Sequence, residues 1–286
     1  MRRLIAIFSL TLSLGAQPKR IVSVSPSITE TLFTLGLGDR VVGVTQYCHY
    51  PPEATTRPKV GSYLRPNVEV IAGLRPDLVI VEDTGKADPA AAASQLERIG
   101  LPVLRIELGD LQRTFEGLRK IGERCGVGDR AVQLVAQVRG KLNGVRQRTS
   151  GLPKKSLLFI VGRSPGGLEH LIAVGKGSYL NELIEIAGGV NALASGPLPY
   201  PRISLETVLG LNPDVLVDMG DMADTVAVSE EHKRNVVALW SRQAGLKAVA
   251  RRAVFAVASD IFVVPGPRVA DAAQAFETML HPEAAR

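Results

Sequence analysis

The sequence is poor in the residues that usually announce chemistry. Of its 286 residues, 2 are Cys, 4 are His and 1 is Trp, and aromatic side chains make up 5%. Two cysteines cannot build a disulfide framework or a four-thiolate zinc site. The histidines, His49, His170, His232 and His281, show no metal-ligand spacing, so a metal centre held by a His cluster is not expected. There is no Gly-x-Ser-x-Gly elbow. Gly175-Lys176-Gly177 lacks the earlier Gly and the following Ser/Thr of a phosphate loop. The carboxylates Glu82 and Asp83 are adjacent at a strand end, where neighbours point to different sides, and are read as a solvated loop. No apolar run reaches the roughly 18 residues that cross a bilayer. The net charge is +6, but the charges are interspersed, without the basic stripe of a nucleic-acid binder. These absences argue against an enzyme, a membrane-spanning chain and a nucleic-acid partner.

What remains is an ordinary globular composition, 45% hydrophobic and 22% charged, with length for two domains at about 150 residues each. The first residues read as an export signal: Arg2 and Arg3, then an apolar stretch over 4–14, then the small residues Gly15 and Ala16. Residues 1–16 are therefore expected to be removed on export, without a Cys there for lipid attachment. In an exported protein Cys48 and Cys125 could pair. Two separate thiols are the simpler reading.

A repeat carries the architecture. Residues 67–81 align without gaps on residues 204–218, placing Glu69, Gly73, Leu74, Pro76 and Asp77 on Glu206, Gly210, Leu211, Pro213 and Asp214. In each copy Asn67 or Ser204 can cap a short helix by accepting a first-turn N–H. Pro76 or Pro213 then ends it and pushes the chain toward extended geometry. An apolar β-branched run follows as a buried strand. Strand-like runs at 21–24, 41–44, 78–81 and 103–106, and again at 157–161, 215–217 and 254–257, alternate with helical stretches such as 29–35 and 90–99. That alternation predicts parallel α/β sheets. Between the halves, Ala131, Val135, Val138, Leu142 and Val145 lie on one face of a helix over 129–149. Asp129 is its expected cap, and its basic residues are expected on solvated faces. The predicted organisation is an N-terminal α/β lobe (17–126), a bridging helix (127–150) and a C-terminal α/β lobe (151–286).

The few aromatics are placed at loops. Tyr47 and Tyr50 follow the strand ending at Val44; Tyr63 and Tyr200 precede the two repeat helices; Phe262 and Asp260 follow the last strand. In open α/β sheets, loops at the carboxyl ends of strands form the ligand crevice, where rings supply contact area at low entropy cost. Glu69 and Glu206 sit in first turns, where an acid gains about 0.3–1 kcal/mol from the helix dipole. The dipole does not explain why both copies use Glu at the same place. One exposed acid per lobe would suit a two-fold symmetric basic partner.

The segments 20–30, 43–52, the two Leu-x-Pro-Asp repeats, Gly175-Lys-Gly-Ser-Tyr179, Ala187-Gly-Gly-Val-Asn191 and Gly266-Pro-Arg268 resemble the periplasmic vitamin B12-binding protein family. It lies within the helical-backbone substrate-binding proteins of ABC importers, which also include ferric-siderophore and haem binders. The resemblance covers residues 20–282. It implies two Rossmann-like α/β lobes on one long rigid helix, with the ligand cleft between them and modest closure. It implies no enzymatic activity, cobalamin as transported ligand, and a ferric siderophore or haem as the alternative. It further implies a periplasmic, monomeric protein whose Glu69 and Glu206 dock onto arginines of a dimeric ABC permease. Tyr47, Tyr50, Tyr63, Arg163, Tyr200, Asp260 and Phe262 are the implied ligand-contacting residues. Relatives can carry Trp where Tyr63 and Tyr200 stand, and the only Trp here, Trp240, lies elsewhere. For an anionic siderophore, Arg65, Arg163 and Arg202 are the available cations; for haem, Tyr47, Tyr50 or His49 are the available axial ligands.

Overall fold

The computed structural model describes residues 17–85, 87–220 and 229–283; the expected export signal at 1–16 lies outside them. The chain runs β1 (Ile21–Ser23), α1 (Pro26–Thr34), β2 (Val41–Val44), α2 (Val68–Gly73), β3 (Leu78–Glu82), α3 (Ala87–Arg98), β4 (Val103–Ile106) and α4 (Leu111–Arg124). It continues with α5 (Gly128–Thr149), β5 (Lys155–Gly162), β6 (Leu171–Ala173), α6 (Tyr179–Ile186), β7 (Gly189–Asn191), β8 (Arg202–Ile203) and α7 (Leu205–Leu211). The last elements are β9 (Val215–Asp218), α8 (Glu230–Ser241), α9 (Lys247–Ala250), β10 (Val254–Ala256) and α10 (Val269–Leu280).

Two sheets result. The first is parallel, in the order β2-β1-β3-β4. The second runs β10-β9-β5-β6-β8, with β7 on the first residues of β5. Here the expectation of parallel sheets needs correcting, because β6 runs antiparallel to both of its neighbours, β5 and β8. The loop from β5 to β6 is too short for a crossover, so the chain turns straight back.

The repeat has a physical reason beyond its caps. Asn67 accepts the N–H of Val70 at 3.0 Å, and Ser204 that of Thr207 at 3.3 Å. The aspartates after the prolines tie the next strand down. Asp77 accepts the N–H groups of Lys19 and Arg20 (2.8 and 2.9 Å), just ahead of β1, the partner of β3. Asp214 accepts the N–H and hydroxyl of Ser156 in β5 (2.9 and 3.0 Å), the partner of β9. Each Pro-Asp therefore starts one strand and anchors its parallel neighbour.

Helix α5 buries its expected stripe of Ala131, Val135, Val138, Leu142 and Val145. Its start differs from expectation: Val127 is the cap position, with no side-chain cap, and Asp129 lies in the first turn. Nor are its basic faces merely solvated. Arg148 grips the buried carboxylate of Glu277 on α10 at 2.6 and 2.7 Å, and Arg130 donates to the carbonyl of Leu35 after α1. Helix α4 lies along α5, and its Leu111, Phe115 and Leu118 belong to the same apolar core as Val138, Leu142, Phe159 and Phe276. Farther along, its Ile121, and Cys125 at its C-cap, join the core under the first sheet. The two sheets thus share core through α4 and α5.

Candidate ligand-binding cleft

The loops between the two sheets gather most of the polar and aromatic residues singled out above. Tyr47 and Tyr63 meet edge-on, ring centroids 6.1 Å apart. Tyr47, Tyr50 and Tyr200 stay more than two-fifths exposed. Glu82, at the carboxyl end of β3, accepts a hydrogen bond from Ser25 at 2.7 Å. Burial pushes the Tyr63 phenol up, and the Glu82 and Tyr47 charges add to it. Burial pushes Tyr200 up to about 12, and the same Glu82 carboxylate raises it further. Tyr200 precedes β8 in the second sheet, whereas Glu82 ends a strand of the first. Glu82 therefore acts on phenols from both sides of a cleft.

A second cluster closes the other part of this seam. Glu30 of α1, 2% exposed, binds the guanidinium of Arg268 through both carboxylate oxygens, Oε2 accepting from Nε at 2.9 Å and Oε1 from Nη2. The same guanidinium lies over the Tyr50 ring, 3.9 Å from its centroid. Burial pushes the Glu30 carboxyl up against the pull of Arg268, and Asp260 and Asp271 push the same way. Asp260 is thus within electrostatic reach of this pair.

Two expected contacts fall outside the cleft. The Arg163 side chain is 4% exposed and bonded at 2.9 Å to the fully buried Asp218. Asp218 also accepts from the Trp240 indole and the Gly220 N–H, while Arg163 donates to the carbonyls of Ser164 and Gly167. Buried charge without a partner is costly, so the pair is committed to the fold. Phe262 is 2% exposed, its ring packed against Phe159 and Phe276 at centroid distances of 5.5 and 5.3 Å. The short 3-10 turn over Asp260–Phe262 directs that ring into the core, and only its carbonyl, accepting from Tyr179 at 2.9 Å, faces the neighbouring helix.

Glu69 and Glu206 are exposed in the first turns of α2 and α7. A hydrogen bond from Ser204 and its own backbone N–H hold Glu206 below the usual carboxylate range. A groove of about 490 Å³ lies beside it, lined by Glu169, His170, Arg202 and Ser204 among others. The thiols of Cys48 and Cys125 are buried and free. Sequence reasoning missed Glu30 and Arg268, and it read Glu82 as part of a solvated loop, whereas Glu82 ends β3, half-buried and bonded to Ser25. Glu30 and Arg268 lie inside segments that carry the family resemblance, but 238 positions apart, and no local pattern pairs them. No group of His, Cys, Asp and Glu among the described residues could hold a metal ion.

Two α/β sheets tied by a long helix, with an aromatic, acid-edged cleft between them, define a binding protein. The chain belongs to the periplasmic binding protein family, whose model matches residues 21–260. It is 30% identical over 271 residues to an uncharacterized ABC transporter substrate-binding lipoprotein of Bacillus subtilis (strain 168), YvrC, covering 93% of this chain and 81% of that one. Among solved structures it resembles the periplasmic vitamin B12-binding protein BtuF of Vibrio cholerae (26% identity, TM-score 0.76, 92% and 96% of the two chains). It equally resembles the periplasmic haem-binding protein RhuT of Roseiflexus sp. RS-1 in its apo form (27% identity, TM-score 0.77, 94% and 99%). The family comprises substrate-binding transport proteins, not enzymes.

Proposed function

We propose that this chain is exported to the periplasm by residues 1–16, captures cobalamin between its lobes and hands it to an ABC permease. The observation that carries the choice of ligand is Glu82, a carboxylate acting on Tyr63 from one side of the cleft and Tyr200 from the other. The guanidinium groups nearby are committed, Arg163 to Asp218 and Arg268 to Glu30. Arg65 pairs on the surface with Asp88, and Arg202 lines the groove beside Glu206. An anionic chelate or the propionates of haem would meet the like charge of the Glu82 carboxylate there. A corrinoid rim of neutral amides can donate to that carboxylate and accept from the phenols while the rings cover its apolar faces. The likeness to the vitamin B12-binding protein supports the same choice. Haem or a ferric siderophore is the second reading, supported by the likeness to RhuT.

Glu69 and Glu206, one per lobe at equivalent places, are the proposed docking acids for arginines of a symmetric permease dimer. Calorimetric titration with cyanocobalamin, haemin and a ferric hydroxamate siderophore tests the ligand. Saturable one-to-one binding of cyanocobalamin, weakened by Tyr63→Ala and Tyr200→Ala, is expected; binding of an iron complex alone moves the ligand to the second reading. Glu69→Arg with Glu206→Arg is expected to abolish uptake while affinity stays. Unchanged uptake refutes the docking assignment.

A further inference from the structure

We infer that Arg268 is a ligand-positioning residue, holding the Tyr50 ring as one wall of the cleft by bridging two elements that belong to the opposite sheet's half of the molecule. Arg268 stands immediately before α10, in the half built around the second sheet. Its guanidinium is used twice. The edge binds both oxygens of Glu30 on α1, and the face covers the ring of Tyr50, on the loop after β2. Only a planar fork can do both at once; an ammonium is a point charge that can satisfy Glu30 or sit over the ring.

The geometry has a direction. Glu30 is buried and fixed in a helix, so it orients the guanidinium; the guanidinium in turn orients a ring that is 43% exposed. An exposed tyrosine on a loop otherwise samples several rotamers and must be ordered when a ligand arrives. With one face occupied by Arg268, the ring offers its remaining surface in a set pose. Contact of the same residue with Glu30 also fixes how far the two halves stand apart at this point. The cleft wall and the spacing between halves are therefore set by one side chain.

The test uses the mature chain with Arg268→Lys, Tyr50→Leu and the double variant, and it rests on the cobalamin reading only for its binding arm. Ring-labelled tyrosine NMR of the ligand-free protein reads the first step. In the unaltered protein the Tyr50 ring signals are expected to be displaced by the overlying guanidinium, and Arg268→Lys is expected to return them toward exposed-tyrosine positions. Calorimetry with cyanocobalamin reads the second: Arg268→Lys is expected to weaken binding about tenfold, and to add less than about twofold once Tyr50 is Leu. Retained thermal stability in Arg268→Lys separates positioning from collapse of the fold. Unmoved Tyr50 signals, or equal losses on Arg268→Lys with and without the Tyr50 ring, overturn the inference. If cyanocobalamin fails to bind even the unaltered protein, the ligand reading fails and the ring signals still decide the role of Arg268.

Discussion

Tyr200 holds its phenol where ionisation is opposed twice, first by burial and then by Glu82, and its pKa is pushed up to about 12. An unfolded tyrosine ionises near 10. The folded value being higher, the stabilisation from the neutral phenol is complete below about pH 10 and is lost as pH rises through about 12. Ultraviolet titration of the chain's five tyrosines should therefore show late ionisation from Tyr200, near pH 12, and from the buried Tyr179, and Tyr200→Phe should remove one tyrosine's share of that late amplitude. A late amplitude unchanged by the substitution would mean that the Tyr200 phenol is not held neutral by its surroundings. Arg163 shows the opposite fate of a polar residue. Its neighbour Asp218 is fully buried and takes bonds from Arg163, Trp240 and Gly220. Removing the cation leaves a buried carboxylate uncompensated, so Arg163→Ala should lower stability by about 3–5 kcal/mol in urea unfolding. Cyanocobalamin affinity of the folded fraction should stay unchanged; a selective loss of affinity would return Arg163 to the cleft. Nothing local in Gly162-Arg163-Ser164 foretells this burial, because the partner Asp218 arrives from a strand 55 positions away.

At the scale of elements, the repeat helices α2 and α7 are too short to hold alone, and caps, one buried residue each (Ile71, Val208) and the following Pro-Asp secure them. The Pro-Asp carboxylate at Asp214 would be raised by burial, but the bonds from Ser156 and the charges of Arg251 and Lys247 outweigh this and hold it below the usual range. Its folded pKa being depressed, its stabilisation is present above the ordinary aspartate value and is lost as pH falls through the folded one. Asp214→Asn should therefore cost about 1–3 kcal/mol near neutral pH and shrink the fall in stability on acidification, read by urea unfolding at a series of pH values. An unchanged acid limb would show that the Ser156 anchor carries no weight. These elements were legible because their signals are local: β2 and β4 fall where apolar runs put them, and Asn67 and Ser204 cap as their spacing implies. β6 and β8 were not, since three and two residues leave no periodicity to read, and the direction of β6 is set by a short return loop. The same division holds for the cleft. Tyrosines beside strand ends stand out in one dimension, whereas the Glu30–Arg268 bond exists only once the two halves meet, and the inward turn of Phe262 only once β5 and α10 form its core.

For the whole molecule, the question is whether two sheets mean two folding units. The apolar core says otherwise. Leu111, Phe115 and Leu118 of α4 pack with residues of β5, α6 and α10, while Ile121 of the same helix and Cys125 at its C-cap pack under the first sheet. Glu182 of α6 accepts the N–H of Leu111 at 2.9 Å, so an element of the second half caps the helix that follows the first sheet. Loss of either half would strand part of α4 in water, and a boundary that divides a core this way couples the two halves in unfolding. The chain carries its own reporters. Trp240, the only tryptophan, is buried in a core of the second sheet, and Cys48 and Cys125 are buried free thiols in the core of the first. Trp240 fluorescence and thiol reactivity should therefore follow one urea transition with a common midpoint. Phe115→Ala, costing about 3–5 kcal/mol, should move both together. Separate midpoints, or a shift of only one probe, would mean that α4 and α5 link two independent bodies. Coincidence would also limit closure, because the halves could then pivot only as far as their shared core allows.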